Sequence, residues 1–282
     1  MDKILIRMKT RALGDTIGAS PYFEKKRIIS DKEVYVSCHF HELFQPLYPK
    51  LKFLPFGFKN TSLFQETYDL DFKFEVPLQQ GFSDQLGLEY EEIRPGVFAE
   101  NSTRPLPSRY VGVAFQSTTQ SRYWNRPGGW DFIFKKLIQS GITPVCLDHH
   151  PTFGVEGHYN TIPSLGENKT GLPLDEVIRY IQHCDFFMGL STGLSWLALA
   201  LGKQVVWISG STHEWCEPTS GLIRIINKNV CHGCFNEPHK TPFDPGDWLW
   251  CPHHKGTPSQ FICSSSITPE EVWEQTKPLL IC

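Results

Sequence analysis

The stretch DFFMGLSTGLSWLALALGKQVVWIS, residues 185–209, reads as strand, helix, strand. DFFMGL is a short apolar run that ends in small hydroxyl residues and a glycine. GLSWLALALG holds strong helix formers and stops on glycine, and QVVWIS is apolar and β-branched. A unit of this kind predicts parallel strands joined by a crossover helix. The rhythm continues upstream. YVGVAF (110–115) reads as a strand, GGWDFIFKKLIQSG (128–141) as a helix, TPVCLDHH (143–150) as a strand and LDEVIRYIQHC (174–184) as a helix. The order β-α-β-α-β-α-β is expected of a doubly wound sheet.

The first hundred residues show the same alternation. KILIRM (3–8) is a strand and TIGASPYFEKKRII (16–29) a helix, opened by a turn at Leu13-Gly14-Asp15. EVYVSC (33–38) and KFLPFG (52–57) read as strands, with HELFQPLYP (41–49) between them. ENSTRPLPS (100–108) is polar and Pro-rich and reads as an interdomain linker. The expected fold is therefore α/β, with an N-terminal Rossmann-like domain over 1–104 and a second over 105–228. A four-cysteine lobe over 229–265 and a C-terminal helix over 266–282 follow. That helix, from Thr268 to Ile281, has a capping threonine, Pro269 in its first position and two acidic residues in its first turn.

Length and composition set outer bounds. A chain of 282 residues with 40% hydrophobic content can bury one large or two smaller α/β cores. A formal net charge of −3 supplies no global basic field for nucleic acid. The N-terminal apolar stretch is broken by Arg7, and no window approaches the ~20 apolar residues of a membrane span. A cytoplasmic protein is expected. Of nine cysteines, Cys38, Cys146 and Cys184 fall in apolar segments and read as buried thiols, whereas Cys231, Cys234, Cys251 and Cys263 crowd into one late segment.

Four segments can carry chemistry. Asp15, between the first strand and helix, lies at the sheet edge where ligands of open α/β folds bind; it is either a general base or a helix cap. Ser191-Thr192-Gly193-Leu194 starts a helix after a strand and offers free N–H groups at its positive end. It is either a diphosphate site or an ordinary capped helix. QSTTQSRYWN (116–125) follows another strand and brings hydroxyls, Arg122 and aromatics to the same edge. Arg122 reads as a phosphate ligand or a surface charge, and Trp124 and Trp130 as sugar contacts or packing. The fourth segment is CHGC (231–234), a metal knuckle that Cys251 and Cys263 complete to four sulfur ligands. His232, His239, His253 and His254 are substitutes for one thiol. Four thiolates suit zinc or a single iron, and with no open ligand position the ion is structural.

In combination these segments resemble the heptosyltransferase superfamily of GT-B glycosyltransferases, and most closely its bacterial autotransporter heptosyltransferases. The resemblance runs through ILIRMKTRALGDTIGASPYFEKKR (4–27), SRYWNRPGGWDFI (121–133), GLSTGLSWLALALGKQVVWISG (189–210), VCHGCFN (230–236), GDWLWCP (246–252) and FICSSSITPEEVW (261–273). It implies a GT-B fold and transfer of heptose from ADP-heptose to a hydroxyl, a serine of an autotransporter adhesin. It assigns Asp15 as catalytic base, Arg122 as the cation on the diphosphate where many relatives carry lysine, and Thr16, Ser191, Thr192, Gly193 and Leu194 to the donor. It also implies iron in the four-cysteine lobe and a ring-like homo-oligomer. Relatives of that group carry a further region ahead of the first Rossmann strand, so this chain reads as a short member. Two alternatives stand beside it. One is another nucleotide-sugar enzyme such as an epimerase, which needs a second acid/base for which His39 or Glu24 is the nominee. The other is a non-catalytic module that binds through the cysteine lobe.

Overall fold

A computed structural model describes residues 2–280. Strands β1 (Lys3–Met8), β2 (Glu33–Ser37), β3 (Lys52–Leu54) and β4 (Glu66–Leu70) form a parallel sheet in the order β3-β2-β1-β4. Helices α1 (Leu13–Ser30) and α2 (Leu78–Gln85) belong to this half. Ile4, Leu5 and Ile6 are all fully buried, as a parallel strand with both faces covered requires.

The second half holds β5 (Tyr110–Ala114), α3 (Gly129–Gln139), β6 (Thr143–Cys146) and the hairpin β7 (Thr152–Val155) and β8 (His158–Thr161). Then come β9 (Glu167–Asn168), α4 (Leu174–His183), β10 (Phe187–Leu190), α5 (Gly193–Ala200), β11 (Val205–Ile208) and β12 (Leu222–Ile225). Its six-stranded parallel sheet runs β12-β11-β10-β5-β6-β9. Chain order reverses between β5 and β10. That switch point opens a crevice at the strands' C-terminal ends, where residues 116–122 and 191–193 emerge. Gly189 in β10 lies so near Ser195 that a Cβ there would sit 2.5 Å from its hydroxyl, which donates back to Leu190 O at 2.7 Å.

Two expectations need correction. Leu13-Gly14-Asp15 is the first turn of α1 itself, because Ala12 occupies the N-cap without a side-chain cap. The helix continues through Pro21, and the carbonyl of Ile17, which Pro21 cannot serve, accepts from Ser20 Oγ at 2.9 Å. At the other end, α7 (Pro269–Thr276) stops short of the predicted Ile281, which lies outside the described residues. Pro278 has no N–H to continue an α-helix, and the chain tightens into a 3₁₀ turn over Lys277–Leu280. Thr268 does cap α7, accepting from Glu271 N–H at 3.2 Å. It is preceded by the short α6 (Ile262–Ser265).

Residues 100–108 carry no regular structure but are tied to α4. Ser102 O lies 2.7 Å from His183 Nε2, and Thr103 O accepts from Arg179 Nε at 3.0 Å. The apolar core is continuous from Ile4 and Tyr22 to Trp196 and Trp207. Cys38 and Cys184 are buried in it and Cys146 in a second apolar cluster, and burial pushes the thiols of Cys38, Cys146 and Cys184 up to about 12, 12 and 11. Among the described residues no helix is long and apolar enough to cross a membrane.

Candidate active site

The two halves meet where α1 packs on α5. Glycines permit the approach: a Cβ on Gly14 would lie 3.0 Å from Trp196, and one on Gly193 would lie 3.1 Å from Leu13 Cβ. Both helix N-termini therefore open into one cavity of about 450 Å³. Its wall contains Asp15, Arg122, Ser191, Thr192 and Gly193, together with Gln116, Ser117 and Thr118 of the loop after β5. Five of the seven residues proposed from sequence for catalysis and donor binding are thus brought together. Thr16 is not among them, because it is fully buried and its hydroxyl donates to Ala12 O at 3.0 Å. Leu194 lines a neighbouring cavity with His149, His150 and Phe153. His39 and Glu24 are also absent: His39 meets Phe40 and Phe56 edge to face, and Glu24 pairs with Arg27.

Arg122 ends a single 3₁₀ turn, Gln120–Arg122. The turn is held by Gln120 N–H and Thr119 Oγ1, which donate to Trp248 O at 3.0 and 3.2 Å. Burial lowers the guanidinium's pKa, opposed by the charges of Cys216, Asp15 and Glu217. Among the described residues it forms no ion pair, and its Nε is buried without a hydrogen-bond partner. Two other buried donors on the cavity wall share that condition, Thr192 Oγ1 at the N-cap of α5 and Thr212 Oγ1 after β11. A buried unpaired donor costs about 1–3 kcal/mol. Three around one cavity, beside a helix N-terminus, make a socket for a ligand rich in anionic oxygens.

Asp15 lines the same cavity. Burial is the largest influence on it and pushes its carboxyl up to about 6, against the hydrogen bond from Thr10 and the positive charge of Arg122. Even so, a group titrating near 6 is mostly ionised at neutral pH, and it is better matched to taking a proton there than an ordinary carboxylate. Asp148, two residues beyond β6, lines the neighbouring cavity and accepts from Phe115 and Gln116 N–H at 3.0 and 2.9 Å. It anchors the start of the Arg122 loop, and burial pushes it up to about 7.

Sequence reasoning missed part of the wall. Phe72, Thr212, Cys216, Glu217, Phe235 and Phe243 all line the cavity, and none lies on a periodic element that would have marked it. Glu217 is buried and fully paired, with the Arg224 guanidinium on one oxygen and Trp207 Nε1 on the other at 3.1 Å. Trp124 and Trp130 are packing residues, edge to face with ring centroids 5.3 Å apart, and Trp124 donates to Ile267 O.

The four late cysteines carry free thiols; Cys234, Cys251 and Cys263 are buried and Cys231 is half-buried. They are neighbours: the charge of Cys251 adds to burial in raising the Cys231 thiol, and Cys263 is pushed up to about 12 by burial and then by Cys231 and Cys251. Among the described residues, no group of three or more His, Cys, Asp or Glu is drawn into metal-ligand geometry. His232 instead faces Val230 O and His239 pairs with Glu75.

Residues 58–242 match the family described as glycosyltransferase family 9 (heptosyltransferase). The chain is 35% identical over 285 residues to the autotransporter heptosyltransferase Aah of Escherichia coli, covering 95% of this chain and 72% of Aah. The structure superposes with a TM-score of 0.91 and 31% identity on the dodecameric iron-containing glycosyltransferase TibC of enterotoxigenic E. coli, covering 98% of this chain and 75% of TibC. TibC has also been solved in complex with ADP-D-beta-D-heptose; that match has a TM-score of 0.90 at 30% identity, covering 98% and 76% of the two chains. A relative from Burkholderia thailandensis, BimC, is described as an inactive autotransporter heptosyltransferase; it is 28% identical, over 95% of this chain and 67% of BimC. With parallel sheets, a cavity where the two sheet-bearing halves meet and these matches, the chain belongs to glycosyltransferase family 9, the heptosyltransferases.

Proposed function

We propose that this chain transfers heptose from ADP-heptose to a serine hydroxyl of an autotransporter protein. The observation that carries the reading is the cavity itself, which Asp15 lines together with Arg122, a cation without an ion-pair partner among the described residues, and with Thr192 and Thr212, whose buried hydroxyls lack hydrogen-bond partners. The donor's diphosphate lies against Arg122, Ser191, Thr192 and Gly193, whose N–H and O–H groups stabilise the charge that develops on the departing ADP. The acceptor oxygen attacks the anomeric carbon as the bond to the β-phosphate oxygen breaks. The bonding pair leaves with ADP, and the acceptor proton passes to an Asp15 carboxylate oxygen. In this reading residues 1–104 supply the acceptor side and the base, and residues 105–228 bind the donor.

Cys231, Cys234, Cys251 and Cys263 would hold one iron, with zinc the alternative; four soft thiol donors within electrostatic reach of one another suit either ion. When bound, the ion supplies a structural cross-link between residues 231 and 263. TibC, an iron-containing dodecamer, supports both the iron and a homo-oligomer. The reaction belongs to the cytoplasm, where nucleotide-sugar donors are made. Co-expression with an autotransporter passenger and mass spectrometry of that passenger tests the reading. Added heptose on serine is expected; an unmodified passenger together with no breakdown of ADP-heptose would place this chain with its inactive relative.

A further inference from the structure

Arg122 raises a question that its proposed role on a diphosphate does not answer: what holds a half-buried guanidinium in place when no carboxylate among the described residues forms an ion pair with it? Its Cζ lies 3.9 Å from the centroid of the Phe235 ring. An aromatic face attracts the cation without using its in-plane N–H groups. A carboxylate partner would instead have occupied those donors and neutralised the charge.

Phe235 is well fixed for that task. It follows Cys234 directly and is 6% exposed. Its ring is packed by Phe74 at 5.1 Å and Phe243 at 5.0 Å, and its N–H donates to Ser211 O at 2.8 Å. The adjoining Asn236 bridges both halves: its Oδ1 accepts from His213 N–H and its Nδ2 donates to Phe74 O, both at 2.8 Å. The turn that delivers the ring depends on Gly233, at φ +74°, where a Cβ would fall 2.2 Å from the His213 ring.

We propose that Phe235 is a positioning residue for the donor, holding the Arg122 guanidinium by its face so that its N–H edge stays free for the diphosphate. The cysteine lobe is then one wall of the donor site as well as a structural unit. The proposal rests on the assignment of Arg122 to the diphosphate. Calorimetry with ADP and with adenosine separates the two claims. Phe235→Leu should weaken ADP roughly tenfold, leave adenosine unchanged, and add nothing in an Arg122→Ala background, while Phe235→Tyr stays within about twofold of the parent. Equal losses for ADP and adenosine, or the same loss with Arg122 already removed, would make Phe235 a packing residue and overturn the proposal. Unchanged ADP affinity in Arg122→Ala alone would overturn the diphosphate assignment beneath it. If Phe235→Leu does not fold, NMR of the parent protein decides: a side-chain N–H resonance of Arg122 displaced upfield by the ring is expected, and an undisplaced one contradicts the stacking.

Discussion

A Cβ placed on Gly193 would lie 3.2 Å from the backbone nitrogen of Gly14, and one placed on Gly14 would lie 3.3 Å from Gly193 Cα. The first turns of α1 and α5 touch there, one carrying Asp15 and the other the N–H groups proposed to face the donor. In the proposed mechanism, the separation of base and diphosphate is therefore set by a contact with little room for a side chain. Gly193→Ala should push the helices apart by a few tenths of an ångström. Overpacking of this kind costs about 1–3 kcal/mol, and misplacement of reacting groups should lower kcat/KM by roughly tenfold. Thermal melts and steady-state kinetics check it; unchanged kcat/KM would mean that the contact does not set the geometry.

Asp15 gives a pH dependence with a definite sign. A base acts only when ionised, so turnover should fall as the pH drops through about 6. The folded state holds this carboxyl above its ordinary 3.8. Its contribution to stability is thus fully present below that value and is lost as the pH rises through about 6. Asp15→Asn cannot ionise, and at about pH 7.5 it should be more stable than the parent by on the order of 1–3 kcal/mol, the difference closing near about pH 4. Denaturant melts at the two pH values measure this; a variant less stable at the higher pH would contradict it.

The sheet cores were legible in the sequence because burial on both faces leaves short apolar runs. KILIRM and DFFMGL could be nothing else. The strand ETYDL, now β4, was not legible: it alternates with polar residues and only Leu70 of the five is buried. The hairpin β7–β8 and the two-residue β9 are exposed or half-buried and carry no pattern. In the site, Asp15, Arg122 and the Ser191–Thr192–Gly193 turn could be found because strand ends of an α/β sheet point to them. Thr212, Glu217 and Phe235 could not, because irregular chain brings them in from residues 209–243. The one available signal was the adjacency of Phe235 to Cys234.

The cysteine lobe yields a compositional test. Metal analysis should find close to one ion per chain, and visible absorption would mark it as iron. Cys231→Ser with Cys234→Ser should lose the ion and lower the melting temperature, since binding of such an ion is folding free energy. Full occupancy in the double variant would exclude these thiols as ligands.

The central claim is that Asp15 takes the acceptor's proton. Ala12, and not Asp15, is the N-cap of α1, so asparagine at this position removes the base without removing a cap. Loss of a general base costs roughly 10²–10⁴ in rate. Sugar transfer from ADP-heptose by Asp15→Asn should fall by that factor while calorimetry shows ADP bound as tightly as by the parent protein. Transfer at near the parental rate, with the same ADP affinity, would contradict the account.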